Sequence, residues 1–437
     1  MNKQNNPVSA ISCDTSPDVQ INLNIRGLKP SATVAINEKS NELIKTGRKI
    51  YKLGLGQSPF PVPQPVIQAL QVNAFQKDYL PVKGLWELRE TIAEHHQRSF
   101  GIECSAEDVL IGPGSKELMF LIQLVYYGDL VIPTPSWVSY VPQAKIIGRQ
   151  IRLLHTKAEN NWRLTAEQLD QYCSEDPQRP RLLILNYPSN PTGKTYPPEE
   201  LADLAEVARK YRILLLSDEI YGKIHHKGLH QSIVPMYPEG TVFSGGLSKW
   251  CGAGGWRLGL FVFPGCLRWL QEAMAVAASE TFTSTSSPIQ FAAIKAFEEN
   301  PDIDLYLTNV RKILNVLGSE LAGILNKSGI KTLAPDGGFY LFPDFSPFRD
   351  KLKSKGIHNS SELCEKLLEE AGVAILPGSE FGQPEDALTV RLAYVNFDGD
   401  KALQAVDGGE EPDNVFLKQY CGDALNAVAI IADWIQA

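Results

Sequence analysis

Ser244-Gly-Gly-Leu-Ser-Lys249-Trp-Cys-Gly-Ala-Gly-Gly-Trp-Arg257-Leu-Gly259 is a glycine-rich stretch entered from a short apolar run. It sets a lysine at the end of a predicted strand, on backbone that tolerates a large ligand pressed against it. Upstream, the apolar run 213–216 ends in Ser217-Asp218-Glu219-Ile220-Tyr221, and the run 182–185 ends in Asn186-Tyr-Pro-Ser-Asn190-Pro-Thr-Gly193. An amine, a carboxylate, a phenol and a carboxamide therefore follow the ends of buried-looking strands.

The rhythm around these motifs predicts the fold. Short β-branched or Leu-rich runs at 109–111, 130–132, 151–154, 182–185, 213–216, 242–244 and 258–262 read as strands. Helical patterns at 116–127, 138–147 and 198–211 fall between them. Apolar strands separated by helices imply an α/β fold with a mostly parallel sheet covered on both faces. Ligands then bind beyond the carboxyl ends of the strands. From about residue 300 the pattern becomes a long helix (303–327), Gly337-Gly-Phe-Tyr-Leu-Phe342, a helix at 360–371, strands at 373–375 and 389–394, and a final helix near 423–435. This reads as a smaller α+β domain at 300–437, joined by residues 23–60 and following a large domain at 61–299; residues 1–22 read as a flexible start. The acidic, turn-rich residues 406–414 read as a surface loop or insertion.

With 437 residues and 43% hydrophobic content, the chain can bury a large core. A net charge of −8 disfavours broad nucleic-acid or anionic-membrane binding while leaving room for a local basic site. Seven scattered cysteines without a Cys-x-x-Cys pair argue against a disulfide framework and for a reducing compartment, so a cytoplasmic location is expected. The polar N-terminus contains no apolar stretch long enough for a signal peptide or membrane span.

Taken alone, each motif has a plain explanation. Gly114-Ser115-Lys116 before an apolar helix offers free N–H groups to an anion, yet a capped surface helix looks the same. Asn190-Pro-Thr-Gly193 is also a good turn, and Asp218 is also a good helix cap. Arg391, in an apolar strand, is either a paired structural ion or an anion site. The combination, in this order and at strand ends, is what an enzyme needs to hold a reactive aldehyde cofactor and use it as an electron sink.

From about residue 23 to the C-terminus, the set of motifs resembles class I/II pyridoxal-phosphate-dependent aminotransferases of the aspartate aminotransferase fold (fold type I). Leu28-Lys-Pro-Ser-Ala-Thr-Val-Ala-Ile36 and Gly255-Trp-Arg257-Leu-Gly259 are similar to the prokaryotic branch with aspartate and prephenate aminotransferases. The resemblance implies that Lys249 forms the internal aldimine with pyridoxal 5′-phosphate and shuttles the proton at the substrate α-carbon. It implies that Asp218 pairs with the pyridinium nitrogen, and that Tyr221 and Asn190 hydrogen-bond the ring oxygen. Arg257, Gly114, Ser115, Lys116 and Ser248 would serve the phosphate, and Trp137 would stack on the ring. Arg391 would take the substrate α-carboxylate, helped by the Gly56 backbone, with Trp137 and Asn190 beside it. Tyr79 would reach the phosphate of a neighbouring subunit, which implies a homodimer.

Some positions depart from the family pattern. Gly246 stands three residues before the lysine, where many relatives carry serine. Lys83 stands where a small or apolar residue is expected, either near the substrate mouth or as a solvated loop lysine. Residues 280–287 contain no arginine for a distal carboxylate. His95 and His96 read as solvated on a charged helix. His225, His226 and His230 cluster without a nearby Cys or carboxylate constellation, which disfavours a metal site. Asn359-Ser-Ser fits a glycosylation sequon without a secretion signal to support its use.

The expected activity is transfer of an amino group from an L-amino acid, aspartate first, to a 2-oxo acid such as 2-oxoglutarate, in two half-reactions at one site. A lyase, decarboxylase or synthase of the same fold is the alternative. A cofactor-binding regulator is a third reading, disfavoured because no DNA-binding module precedes residue 23 and the charge is wrong for DNA.

Overall fold

The computed structural model of the chain describes residues 20–437; the flexible start expected at 1–22 lies largely outside the described residues. Seven strands form the central sheet: β1 (Val109–Gly112), β2 (Asp129–Thr134), β3 (Ile151–His155), β4 (Arg181–Asn186), β5 (Leu214–Asp218), β6 (Thr241–Gly246) and β7 (Gly259–Val262). Their order is β1-β7-β6-β5-β4-β2-β3. All pairings are parallel except those of β7, which runs antiparallel to β1 and β6.

Side chains alternate between the two faces, as the pleat requires. Leu182, Ile184, Leu214 and Leu216 join one buried cluster, with Leu118, Leu121 and Met274 from covering helices. Leu183, Leu185 and Leu215 join the other, under Leu201, Leu204 and Ala205 of the helix Pro198–Lys210. Both faces are dry over the inner strands, so these read as apolar runs, whereas the edge strand β3 is largely exposed.

The register sets the site. Asn186, Asp218 and Ser244 lie side by side across β4, β5 and β6, at the carboxyl ends of the strands. Because β7 is reversed, its first residue, Gly259, pairs with both Gly112 and Gly246. Arg257 and the start of the helix Ser115–Val125 therefore meet at this same edge.

The C-terminal part is built on the 27-residue helix Pro301–Lys327, whose N-cap Asn300 accepts from the Asp302 N–H. It packs on helices Gly399–Asp407 and Gly422–Gln436. Strands Leu376–Pro377, Val390–Ala393 and Tyr340–Leu341 make a small antiparallel sheet. Tyr51–Lys52 pairs parallel with Val373–Ala374, so the chain before the large sheet returns to the C-terminal part.

The acidic stretch forms the expected surface turn over residues 408–413, exposed at 408–411, between two helices. Val406 and Asp407 end one helix, and Asn414–Tyr420 forms the next. Asp413 caps that helix by accepting from the Val415 and Phe416 N–H groups, and Val406, Phe416 and Leu417 are buried. His96 is not solvated: it is 2% exposed, with its ring edge-on to Phe243, and burial pushes its pKa down to about 4. Among the described residues no helix is long and apolar enough to cross a membrane.

Candidate active site

A cavity of about 410 Å³ opens at the carboxyl edge of the central sheet. Gly56, Ser115, Lys116, Trp137, Asn190, Asp218, Tyr221, Ser248, Lys249 and Arg257 all line it. Ten of the residues singled out in the sequence thus converge on one space from six separate segments.

Lys249 follows β6 and reaches the Gly56 carbonyl with Nζ at 2.8 Å. Burial and the nearby Arg391 cation lower its amine to about 8. Asp218 ends β5 and caps no helix, contrary to the plain reading of it. Its Oδ2 accepts from the Tyr140 hydroxyl at 2.6 Å, while Oδ1 is buried without a partner. Burial raises this carboxyl to about 6, against the pull of the Tyr140 bond. Asn186, not singled out in the sequence, ties the floor together. Its amide donates to the Asp218 carbonyl at 2.9 Å, and its Oδ1 accepts the Asn190 N–H at 2.8 Å.

The phosphate-sized end is made by close approach of backbones. A Cβ on Gly114 would run into the Arg257 guanidinium, and one on Gly259 would strike the Ser115 backbone. Arg257, in the left-handed region at φ 56°, donates to the Gly254 and Pro113 carbonyls at 3.1 and 3.2 Å. The Lys116 amine lies 5.5 Å from the Trp137 ring centre; burial, then Arg257, lowers its pKa. Ser115 begins its helix with no side-chain cap, leaving first-turn N–H groups facing this end.

Arg391 sits behind the cavity wall, 1% exposed. It donates to Asn190 Oδ1 at 3.3 Å and to the Gly54 carbonyl, and no carboxylate among the described residues pairs with it. The paired-ion reading of Arg391 therefore fails. Tyr79 is 90% exposed and does not line the cavity. Lys83 also stays outside it, in an ion pair with Glu272. At Gly246 a Cβ would lie 2.8 Å from the Leu258 carbonyl and 3.0 Å from the Gly259 Cα. The reversed strand leaves no room for the serine many relatives carry there. His230 does have a carboxylate neighbour, Glu219, at 2.6 Å, and Glu219 also accepts from Ser217 and Ser232 at 2.7 and 2.6 Å. Asn359 caps the helix Ser360–Ala371, its Oδ1 accepting the Glu362 N–H.

An aldehyde cofactor with a pyridine ring and a phosphate fits these groups. The buried Asp218 Oδ1 lacks a donor, the Lys249 amine has no acid bonded to it, and a cationic, glycine-lined end adjoins both. A large domain built this way, with such a lysine beyond a strand end, defines a fold type I transferase.

Residues 48–405 match the model of aminotransferase class I and II, and the chain belongs to that family, whose members use pyridoxal 5′-phosphate to move amino groups. It is 35% identical over 380 residues to the aspartate aminotransferase of Geobacillus stearothermophilus, covering 85% of this chain and 93% of that one. It is 31% identical over 376 residues to the aspartate/prephenate aminotransferase of Thermus thermophilus, with the same coverage of 85% and 93%. The structure of the Thermus thermophilus aspartate aminotransferase with maleate superposes with a TM-score of 0.82 at 28% identity, over 95% of this chain and all of that one.

Proposed function

We propose that this aminotransferase takes the α-amino group of L-aspartate and passes it to a 2-oxo acid such as 2-oxoglutarate, with both half-reactions in the cavity around Lys249. When bound, pyridoxal phosphate supplies the electron sink that makes the substrate α-hydrogen acidic. Lys249 would hold it covalently, and Asp218 would accept from its ring nitrogen through the free Oδ1. Tyr221 and Asn190 would donate to its ring oxygen. Arg257, Ser248 and the Gly114-Ser115-Lys116 turn would hold its phosphate, and Trp137 would cover its face.

The protein's own groups then have defined tasks. Arg391 presents a planar fork to the substrate α-carboxylate, with the Gly56 backbone beside it. Its lack of a carboxylate partner is what supports this role. Lys249, once freed, takes the proton from the substrate α-carbon and returns it elsewhere; an amine lowered to about 8 is partly neutral near pH 7–8 and can act as that base. With the backbone of its turn serving the phosphate, the Lys116 amine beside Trp137 would be placed for a side-chain carboxylate, while Lys83 is engaged by Glu272. The Thermus relative solved with maleate, a dicarboxylate, supports an acidic substrate.

The reading includes a homodimer. Tyr79, Phe75 and Val72 are 90%, 74% and 69% exposed on one segment, an apolar surface suited to a second copy that would receive Tyr79. It also keeps the division at residues 60 and 300, the large part holding the cofactor, and a cytoplasmic location.

The observation that supports the reading most directly is Lys249 and the unpartnered Asp218 Oδ1 facing one cavity. A panel of amino donors against 2-oxoglutarate tests it. Aspartate should give the highest kcat/KM, and Lys249→Ala should abolish turnover while still binding cofactor non-covalently. Ammonia or pyruvate release without an acceptor would instead assign a lyase.

A further inference from the structure

Tyr340 is a second phenol at the site, buried at 1% exposure in the strand Tyr340–Leu341. Its hydroxyl oxygen is 2.8 Å from that of Tyr221, and the two rings meet edge to face at 5.5 Å. Its ring carries the Arg391 guanidinium 5.0 Å from the centroid. Its hydroxyl also presses on Gly56, where any Cβ would collide with it. Gly56 is the residue whose carbonyl accepts from Lys249 at 2.8 Å.

Each phenol has one proton. In the reading above, Tyr221 spends its proton on the cofactor ring oxygen. The Tyr221–Tyr340 bond then has only one direction left: Tyr340 donates and Tyr221 accepts. A hydroxyl that accepts a hydrogen bond becomes a stronger donor in turn.

We infer that Tyr340 is a positioning residue that donates to the Tyr221 oxygen, orienting and strengthening the hydrogen bond Tyr221 makes to the cofactor. The inference rests on the proposed placement of Tyr221. A donor at the ring oxygen stabilises negative charge there after the neighbouring Lys249 nitrogen has released its proton. Losing that support raises the pKa of the nitrogen. The charged groups facing this nitrogen are Asp218, Arg391 and Arg257, with the Tyr221 and Phe339 rings and the Gly56 carbonyl around it. Tyr340→Phe changes none of these, and it keeps the ring under Arg391.

The test is a pH titration of the visible chromophore of the holoenzyme in four forms: parent, Tyr221→Phe, Tyr340→Phe and the double variant. Tyr340→Phe should raise the apparent pKa by roughly half to one pH unit. It should add nothing in the Tyr221→Phe background, and KM for aspartate should stay within about two-fold because Arg391 keeps its support. Tyr340→3-fluorotyrosine, a stronger donor on the same ring, should shift the pKa the opposite way and serves if Tyr340→Phe does not fold. If Tyr221→Phe moves the pKa and neither change at 340 does, the relay is wrong while the site reading stands. Equal shifts in both backgrounds also overturn the relay. If Tyr221→Phe itself leaves the chromophore unmoved, the placement of Tyr221 and the inference fall together.

Discussion

Tyr140 donates a 2.6 Å hydrogen bond to Oδ2 of Asp218, while Oδ1 of the same buried carboxylate has no partner among the described residues. One oxygen is fixed and the other is left for a ligand. The arrangement is costly without that ligand, because burial has raised the carboxyl to about 6. Between the unfolded value near 3.8 and the folded value, the native state holds the proton more tightly. Stability of the cofactor-free protein therefore falls as pH rises through this window.

Asp218→Asn removes that charge and keeps an acceptor for Tyr140. The cofactor-free variant is expected to be more stable than the cofactor-free parent at pH 8, by about 1–3 kcal/mol, with the gap closing toward pH 4. Urea unfolding at the two pH values reads this directly. A gap independent of pH would mean that the charge is not its source.

Lys249 gives the complementary case. Its amine is lowered from 10.5 to about 8, so the unfolded chain binds the extra proton between those values. Stability rises with pH across the window, and below pH 8 the penalty is fully present. Lys249→Met keeps the volume and removes the penalty. The cofactor-free variant should gain about 1–3 kcal/mol at pH 7 and lose that advantage by pH 11, while turnover disappears. A variant less stable than the parent at pH 7 would show that Lys249 is well paired in the resting protein.

Arg391 is buried with no carboxylate among the described residues to neutralise it, so deleting it strands no opposite charge there. Arg391→Ala should weaken binding of a dicarboxylate such as maleate to the holoenzyme by about 2–5 kcal/mol, without a matching loss of stability. Arg391→Lys should recover little, because an ammonium lacks the planar fork. Spectral titration with maleate alongside thermal unfolding separates the two effects. Undiminished maleate affinity in Arg391→Ala would remove this residue from the site.

What was legible in the sequence follows from what each signal is made of. The inner strands were visible because both faces of the sheet are dry there, which turns each into a short apolar run. The edge strand β3 showed only through Ile151, Leu153 and Leu154, although it is largely exposed. Lys249, Asp218 and Asn190 were visible because they come just after those runs, and Arg257 because glycines flank it just before the last one. Tyr140 and Tyr340 were not, because their bonds to Asp218 and Tyr221 span 78 and 119 residues and leave no local pattern. Glu219 escaped notice beside Asp218 because strand alternation sends the two side chains to opposite faces, and only the fold brings His230 back to it. His96 looked solvated among charged neighbours, but the buried face of its helix is read from Leu88, Ile92 and His96 at four-residue spacing. At 406–414, glycine, proline and acid signalled the exposed turn that is there, while the capping role of Asp413 at its end left no separate signal.

Gly246 offers a last test, in which packing and ligand binding make opposite forecasts. If the family's serine were simply missing, Gly246→Ser would add a hydroxyl and tighten cofactor binding. The backbone says otherwise, since the new Cβ would sit 2.8 Å from the Leu258 carbonyl, in the reversed strand that pairs Gly246 with Gly259. Neither neighbour is a flexible side-chain end, so the two strands must separate. Gly246→Ser is therefore expected to cost about 1–3 kcal/mol of stability and to weaken cofactor retention, because Lys249 follows one of the strands being pushed apart and Arg257 precedes the other. Cofactor dissociation and urea midpoints of the holoenzyme measure both. A variant that holds cofactor more tightly at unchanged stability would show that the β6–β7 contact yields more readily than its geometry implies.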